Sequence, residues 1–203
     1  MMPVPHASSA RDALALAALA AVVIVCIMIF ATGGMEAVAT VAGMTAASAD
    51  PFAVRLVLAC DTLLPIGYGA GFTLLAFALS SPGDRALAIV TALFTFGGVA
   101  CDFAENGFAI AGASVPAFTV AKYGLLGIAA FLLGAAMDGR NAVERLAAPV
   151  AKFVTPFFLA VTITRALGEW TVWLFAPTLV ATFALLAFVA HGRVEPRDPV
   201  RSS

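Results

Sequence analysis

The amino-acid sequence predicts an all-α fold, a polytopic bundle of about six transmembrane helices, and three observations carry the prediction. Hydrophobic residues make up 62% of the 203 and charged ones only 11%, against roughly a quarter charged in an ordinary soluble domain. The mean hydropathy is +1.02. Apolar windows of about 20 residues recur along the chain, each long enough for a helix to cross a hydrocarbon layer of roughly 30 Å. A transmembrane barrel would instead show short segments alternating polar and apolar residues, a pattern this sequence lacks.

The first window, "ALALAALAAVVIVCIMIFAT" at residues 13–32, follows a short polar start with Arg11. It exceeds the roughly 7 to 15 apolar residues of a signal peptide and reads as a retained span. The second span is expected at 56–78, between "DPF" and "SSPGD", and the third at 86–113. The fourth is expected at 118–137, between "GASVP" and "DGRN". Gly, Pro, Asp and Asn punctuate each of these boundaries, as loops require. The stretch from 153 to 190 is too long for one crossing, and "TRALGEW" divides it into spans at 153–168 and 171–190. Trp170 and Trp173 then belong to an interfacial aromatic belt. No loop is long enough to hold a core of its own, so residues 1–203 are expected to form one integral membrane domain. The 33–54 segment is read as an interfacial helix or a connector, and the polar tail 191–203, "HGRVEPRDPVRSS", as disordered.

Lysine and arginine favour the cytoplasmic side of a membrane. With the N-terminus inside, Arg11, Arg85, Arg140, Arg145, Lys152, Arg193, Arg197 and Arg201 fall on that side, and only Arg55 falls outside. Both termini are therefore expected in the cytoplasm. Arginine outnumbers lysine and alanine is abundant, a composition associated with GC-rich bacterial genomes, so the location expected is a bacterial inner membrane. The lipid bilayer is the one partner the composition implies. No cluster of basic residues recommends nucleic acid. Cys26, Cys60 and Cys101 stand singly in apolar runs and read as small buried hydrophobes, with no CxxC pair for zinc or thiol exchange.

Within these runs one stretch, "CDFAENGFAI", carries Asp102, Glu105 and Asn106. Their i, i+3, i+4 spacing places them on one helical face. Asp61 in the second span and Lys122 in the fourth are the other intramembrane charges in this half of the bundle. At about 1.5 Å per residue, Asp61 and Lys122 lie roughly 9 Å below the outer end of their spans, Glu105 roughly 12 Å, and Asp102 one turn deeper. A charged side chain at mid-bilayer costs about 2.5 to 3.5 kcal/mol on the insertion scale. All four are thus expected to turn inward, where Lys122 pairs with one carboxylate and Asn106 hydrogen-bonds another. Pro65, four residues after Asp61, removes the N–H that would bond the Asp61 carbonyl and invites a kink. Tyr68, at i+7, extends the same face with a hydroxyl. Gly67 and Gly71 form a small-xxx-small pair for close helix approach.

Three carboxylates face one ammonium. Arg165 adds a second positive charge only if it turns inward, and Glu169 stays at the interface. A surplus carboxylate in hydrocarbon is cheaper as the neutral acid, so at least one of these acids is expected to hold a proton. The leading expectation is a site, open to the outer face, that binds or transports a proton, a cation or a small cationic or amphiphilic ligand, through Asp61, Asp102, Glu105, Asn106, Lys122 and Tyr68. Two alternatives remain: an intramembrane lipid-modifying enzyme, and a polar clasp with a purely structural role. Against catalysis, every serine is placed in a loop or terminus, His6 and His191 lie outside the core, and no GxSxG or HExxH occurs. No catalytic residue, metal ligand or cofactor is assigned. Taken together, "DTLLPIGY", "DFAEN" and the lysine of "AKYG" resemble segments of bacterial multi-span integral membrane proteins of unassigned activity. The resemblance covers spans two to four and implies no mechanism.

Overall fold

The computed structural model describes residues 5–32, 51–81, 85–111, 113, 115–164 and 170–194. They form α1 (Pro5–Thr32), α2 (Pro51–Leu79), α3 (Ala86–Ile110), α4 (Pro116–Ala136), α5 (Ala142–Pro149), a π-helical turn (Val150–Val154), α6 (Thr155–Thr164) and α7 (Trp170–Val194). α5, the π turn and α6 follow one another without a break, so Ala142–Thr164 is one rod. Six helices are long and apolar enough to cross a membrane, which gives the expected all-α bundle. Large apolar side chains face outward, including Leu19, Leu93, Phe96, Phe153 and Phe188, each more than half exposed. Such a surface is a liability in water and ordinary in lipid. The chain is accordingly a membrane protein.

Each helix packs on its neighbours in sequence, and α7 closes the ring against α1. Because the helices alternate in direction, the start of α1 and the end of α7 share one end of the bundle, here the terminal end. The opposite end is the distal one. α1 offers the ring a seam of Ala7, Ala10, Leu14, Ala17, Ala21 and Ile24, all buried. Their alternating steps of three and four keep one stripe facing the partner helix, as in a coiled coil. The small-residue pair of α2 receives it. A Cβ on Gly67 would come within 3.0 Å of the Ala17 nitrogen, and one on Gly71 within 2.6 Å of Leu14 Cγ.

Several boundaries differ from the sequence expectation. α1 begins at Pro5 instead of 13 because the small seam residues Ala7 and Ala10 continue the buried stripe. Ser8 and Ser9 therefore lie inside a helix and not in a terminus. α2 begins at Pro51, not 56, and α3 ends at Ile110, not 113, while α4 covers Pro116–Ala136 against an expected 118–137. The fifth crossing starts at Ala142, eleven residues before the expected 153, because Asn141 caps a helix there: its side chain accepts a hydrogen bond from the Glu144 nitrogen. Lys152 then lies within this crossing and not beside it. α7 runs to Val194, so residues 191–194 are helical and not a disordered tail. Pro65 is buried inside an unbroken α2. Cys26 is exposed and Cys60 and Cys101 are half-buried, so all three face outward more than expected. The 33–50 part of the outer segment, Arg165, Glu169 and residues 195–203 lie outside the described residues, as do the side chains of Arg55, Trp170 and Trp173.

Candidate functional site

Three helices build the distal cluster. α3 turns Leu93, Phe96 and Phe103 outward, and its polar face is left to point into the bundle: Asp102 is 3% exposed and Asn106 5%. On α4, Thr119, Lys122 and Tyr123 repeat the i, i+3, i+4 spacing of Asp102, Glu105 and Asn106, so two polar helix faces meet. Lys122 Nζ donates to Asp102 Oδ1 at 3.0 Å and to Glu105 Oε2 at 2.5 Å. Thr119 Oγ1 donates to the other Glu105 oxygen. From α2, the Tyr68 hydroxyl donates to Asp102 Oδ2 at 2.8 Å. Every carboxylate oxygen of Asp102 and Glu105 thus accepts a hydrogen bond. Tyr68 is held for this task by aromatic packing, its ring nearly parallel to Phe183 at 6.2 Å and tilted against Phe72 at 6.3 Å.

Asp61 stands apart. It lies within electrostatic reach of Asp102, Lys122 and Glu105, and the Asn106 side chain hydrogen-bonds it. Among the described residues no cation forms a salt bridge with it, since Lys122 is taken by the other two acids. The Asn106 contact is loose, because its buried Nδ2 has no close hydrogen-bond partner. Pro65 leaves the Asp61 carbonyl without its i+4 donor. An acceptor-rich group with one loosely held donor therefore sits next to a fully bonded trio.

The expected convergence of Asp61, Asp102, Glu105 and Lys122 is found, with Tyr68 among them, and two details change. Lys122 bridges two carboxylates where one was expected, because Asp102 and Glu105 are one turn apart and its ammonium has three donors. Asn106 meets the expected carboxylate, Asp61, only loosely. With α3 ending at Ile110, Glu105 is about 8 Å and Asp102 about 12 Å from the helix end, shallower than the count from residue 113. Sequence reasoning missed Thr119 and Tyr123. Their shared spacing with Lys122 was the available signal. Lys122 Nζ lies 4.9 Å from the centre of the Tyr123 ring, whose edge meets Phe175 at 5.4 Å.

A second ionic cluster, also missed, sits at the terminal end. Glu144 is fully buried. Its Oε1 accepts from Arg193 Nε at 2.7 Å and its Oε2 from the Arg140 backbone nitrogen at 3.1 Å. Arg140 pairs with Asp138 at 2.7 Å, and Arg193 Nη2, 3.9 Å from Asp138, makes no hydrogen bond. The signal was "NAVE", an N-cap residue followed three places later by glutamate, a variant of the capping box. Here the glutamate reaches one residue beyond the cap.

Among the described residues, no three His, Cys, Asp or Glu side chains come together as ligands for a metal ion. The chain matches no known protein family, no curated protein and no solved structure.

Proposed function

We propose that the distal cluster binds a proton or a small cationic ligand, and that Asp61 with Asn106 is where it binds. The single observation carrying this reading is that, among the described residues, the Asp61 carboxylate forms no salt bridge and is reached only loosely by the buried amide nitrogen of Asn106. Buried polar groups are almost always bonded, and an orphan asks for an explanation. Intramembrane ionisable groups are functional candidates by default. The clasp and the site are then separate parts of one cluster. Asp102, Glu105, Lys122, Thr119 and Tyr68 hold three helices together and fix a net negative field, while Asp61 and Asn106 face the ligand. A small cation held beside Asp61 supplies the positive charge that Lys122 gives the other two acids, and a proton on Asp61 removes the need for one.

The protein acts, in this reading, in a bacterial inner membrane with both termini in the cytoplasm, which places the cluster in the outer half. With Arg11, Arg145, Lys152 and Arg193 inside crossings, Arg85, Arg140, Arg197 and Arg201 against Arg55 still favour that orientation by four to one.

The test is reconstitution into proteoliposomes with an internal pH indicator, run beside equilibrium binding of tetramethylammonium. The wild type is expected to conduct protons or bind the cation. Asp61→Asn is expected to lose that activity while its stability changes by less than about 0.5 kcal/mol. A wild type that does neither overturns the proposal, and so does an Asp61→Asn variant that keeps full activity.

A further inference from the structure

We infer that the ligand is a single-chain cationic amphiphile and that its chain enters between α4 and α6. The inference rests on the proposed cation site. A groove of about 280 Å³ lies between these helices, lined by Tyr123, Gly124, Gly127, Ile128, Pro156 and Leu159 among others. Its lining is almost wholly apolar, and the exposed Ile128 and Phe131 place it on the lipid-facing side. From Tyr123 to Phe131 it follows α4 for about 12 Å. Its one polar wall is Tyr123, and the Lys122 ammonium lies 4.9 Å from the centre of that ring. The groove therefore ends where the ionic cluster begins.

Gly124 is the informative residue. Gly67 and Gly71 are glycines because a Cβ would strike α1, and Gly134 because a Cβ would approach the Ala148 carbonyl oxygen to 2.7 Å. A Cβ on Gly124 would meet nothing within 4 Å. Helix packing does not require glycine at 124, and glycine weakens a helix interior relative to alanine. What its absent side chain maintains is an open channel beside Tyr123. The occupant's charge follows from the cluster: among the described residues, three carboxylates against one ammonium select a positive head. Lipid tails are as apolar as the groove, so the groove supplies little binding energy. Its role is to admit a chain and aim the head past Tyr123 toward the carboxylates. Blocking it is therefore a steric experiment.

The probes are tetramethylammonium, dodecyltrimethylammonium and dodecyl sulfate, measured by equilibrium dialysis against nanodiscs with protein-free discs as blank. The proteins are the wild type, Gly124→Phe, and Ala160→Phe on the facing wall, each checked by its melting temperature. Tetramethylammonium is expected to bind all three proteins alike. Dodecyltrimethylammonium is expected to bind the wild type and to weaken about tenfold or more in whichever blocked variant melts as the wild type does. Equal binding of the dodecyl cation to wild type and blocked proteins overturns the groove while leaving the cation site standing. Stronger binding of dodecyl sulfate overturns the positive head. Failure of both cations on the wild type removes the cation site itself, and this inference with it.

Discussion

The two ends of the bundle each bury charge, and they do so differently. At the terminal end Glu144 and Asp138 meet Arg193 and Arg140, two acids with two bases. The acid at the centre is satisfied by a backbone N–H as well as a guanidinium, and the group sits where α5 begins and α7 ends. At the distal end, among the described residues, three acids surround one lysine, all from within helices. A balanced set whose members also cap a helix has the economy of a joint. An unbalanced set keeps a field in place and leaves something unsatisfied. Buried charge by itself is therefore a weak indicator of function, and the imbalance is what points to the ligand.

Breaking each cluster separates the two readings. The largest expected effect is Lys122→Met, which leaves the buried Asp102 and the half-buried Glu105 without their cation. Removing one partner of a buried pair costs about 3–5 kcal/mol, and this variant is expected at or above the top of that range in a detergent unfolding titration. Arg193→Met follows at about 3 kcal/mol, since Glu144 keeps its bond to the Arg140 nitrogen. Binding of tetramethylammonium is expected to persist in that variant wherever it remains folded. With four turns of α4 between the clusters, Lys122→Met and Arg193→Met are expected to add within about 0.5 kcal/mol. A larger coupling energy would mean that the two ends communicate, which undoes the contrast between joint and site. Tyr68→Phe is the mildest change, removing one hydrogen bond from Asp102. It is expected to cost about 0.6–1.7 kcal/mol, the range for interhelical bonds in membranes, without abolishing binding.

The number of crossings and the distal charges were legible because both depend on strong local signals. Twenty apolar residues in a row have few alternatives, and a lysine inside such a run stands out. Asp102, Glu105 and Asn106 could be placed on one face from their spacing alone. Thr119 and Tyr123 were not, because an uncharged polar residue in a span looks ordinary until its partner is known. The start of the fifth crossing was obscured by "DGRNAVERL", which reads as a polar loop when each charge is assumed to seek water. Glu144 reverses that assumption only because Arg193, 49 positions later, arrives beside it. The loose contact between Asn106 and Asp61 lies beyond any sequence pattern, since it depends on where Asp61 comes to rest.

The wide turn at Val150–Val154 governs more than local shape. There the Thr155 nitrogen and hydroxyl both reach back five places to the Val150 carbonyl, so the rod contains one residue more than an ordinary α-helix would need. Each residue advances the screw by about 100°. Rewinding this turn as α-helix with all its residues kept would, with Thr155 anchored to Thr182, swing Glu144 roughly a quarter of a circle away from Arg193, whereas deleting one residue would leave the two in register. An apparent irregularity thus sets the phase between the two halves of the fifth crossing, and the joint at the terminal end is in register only because the turn is uneven.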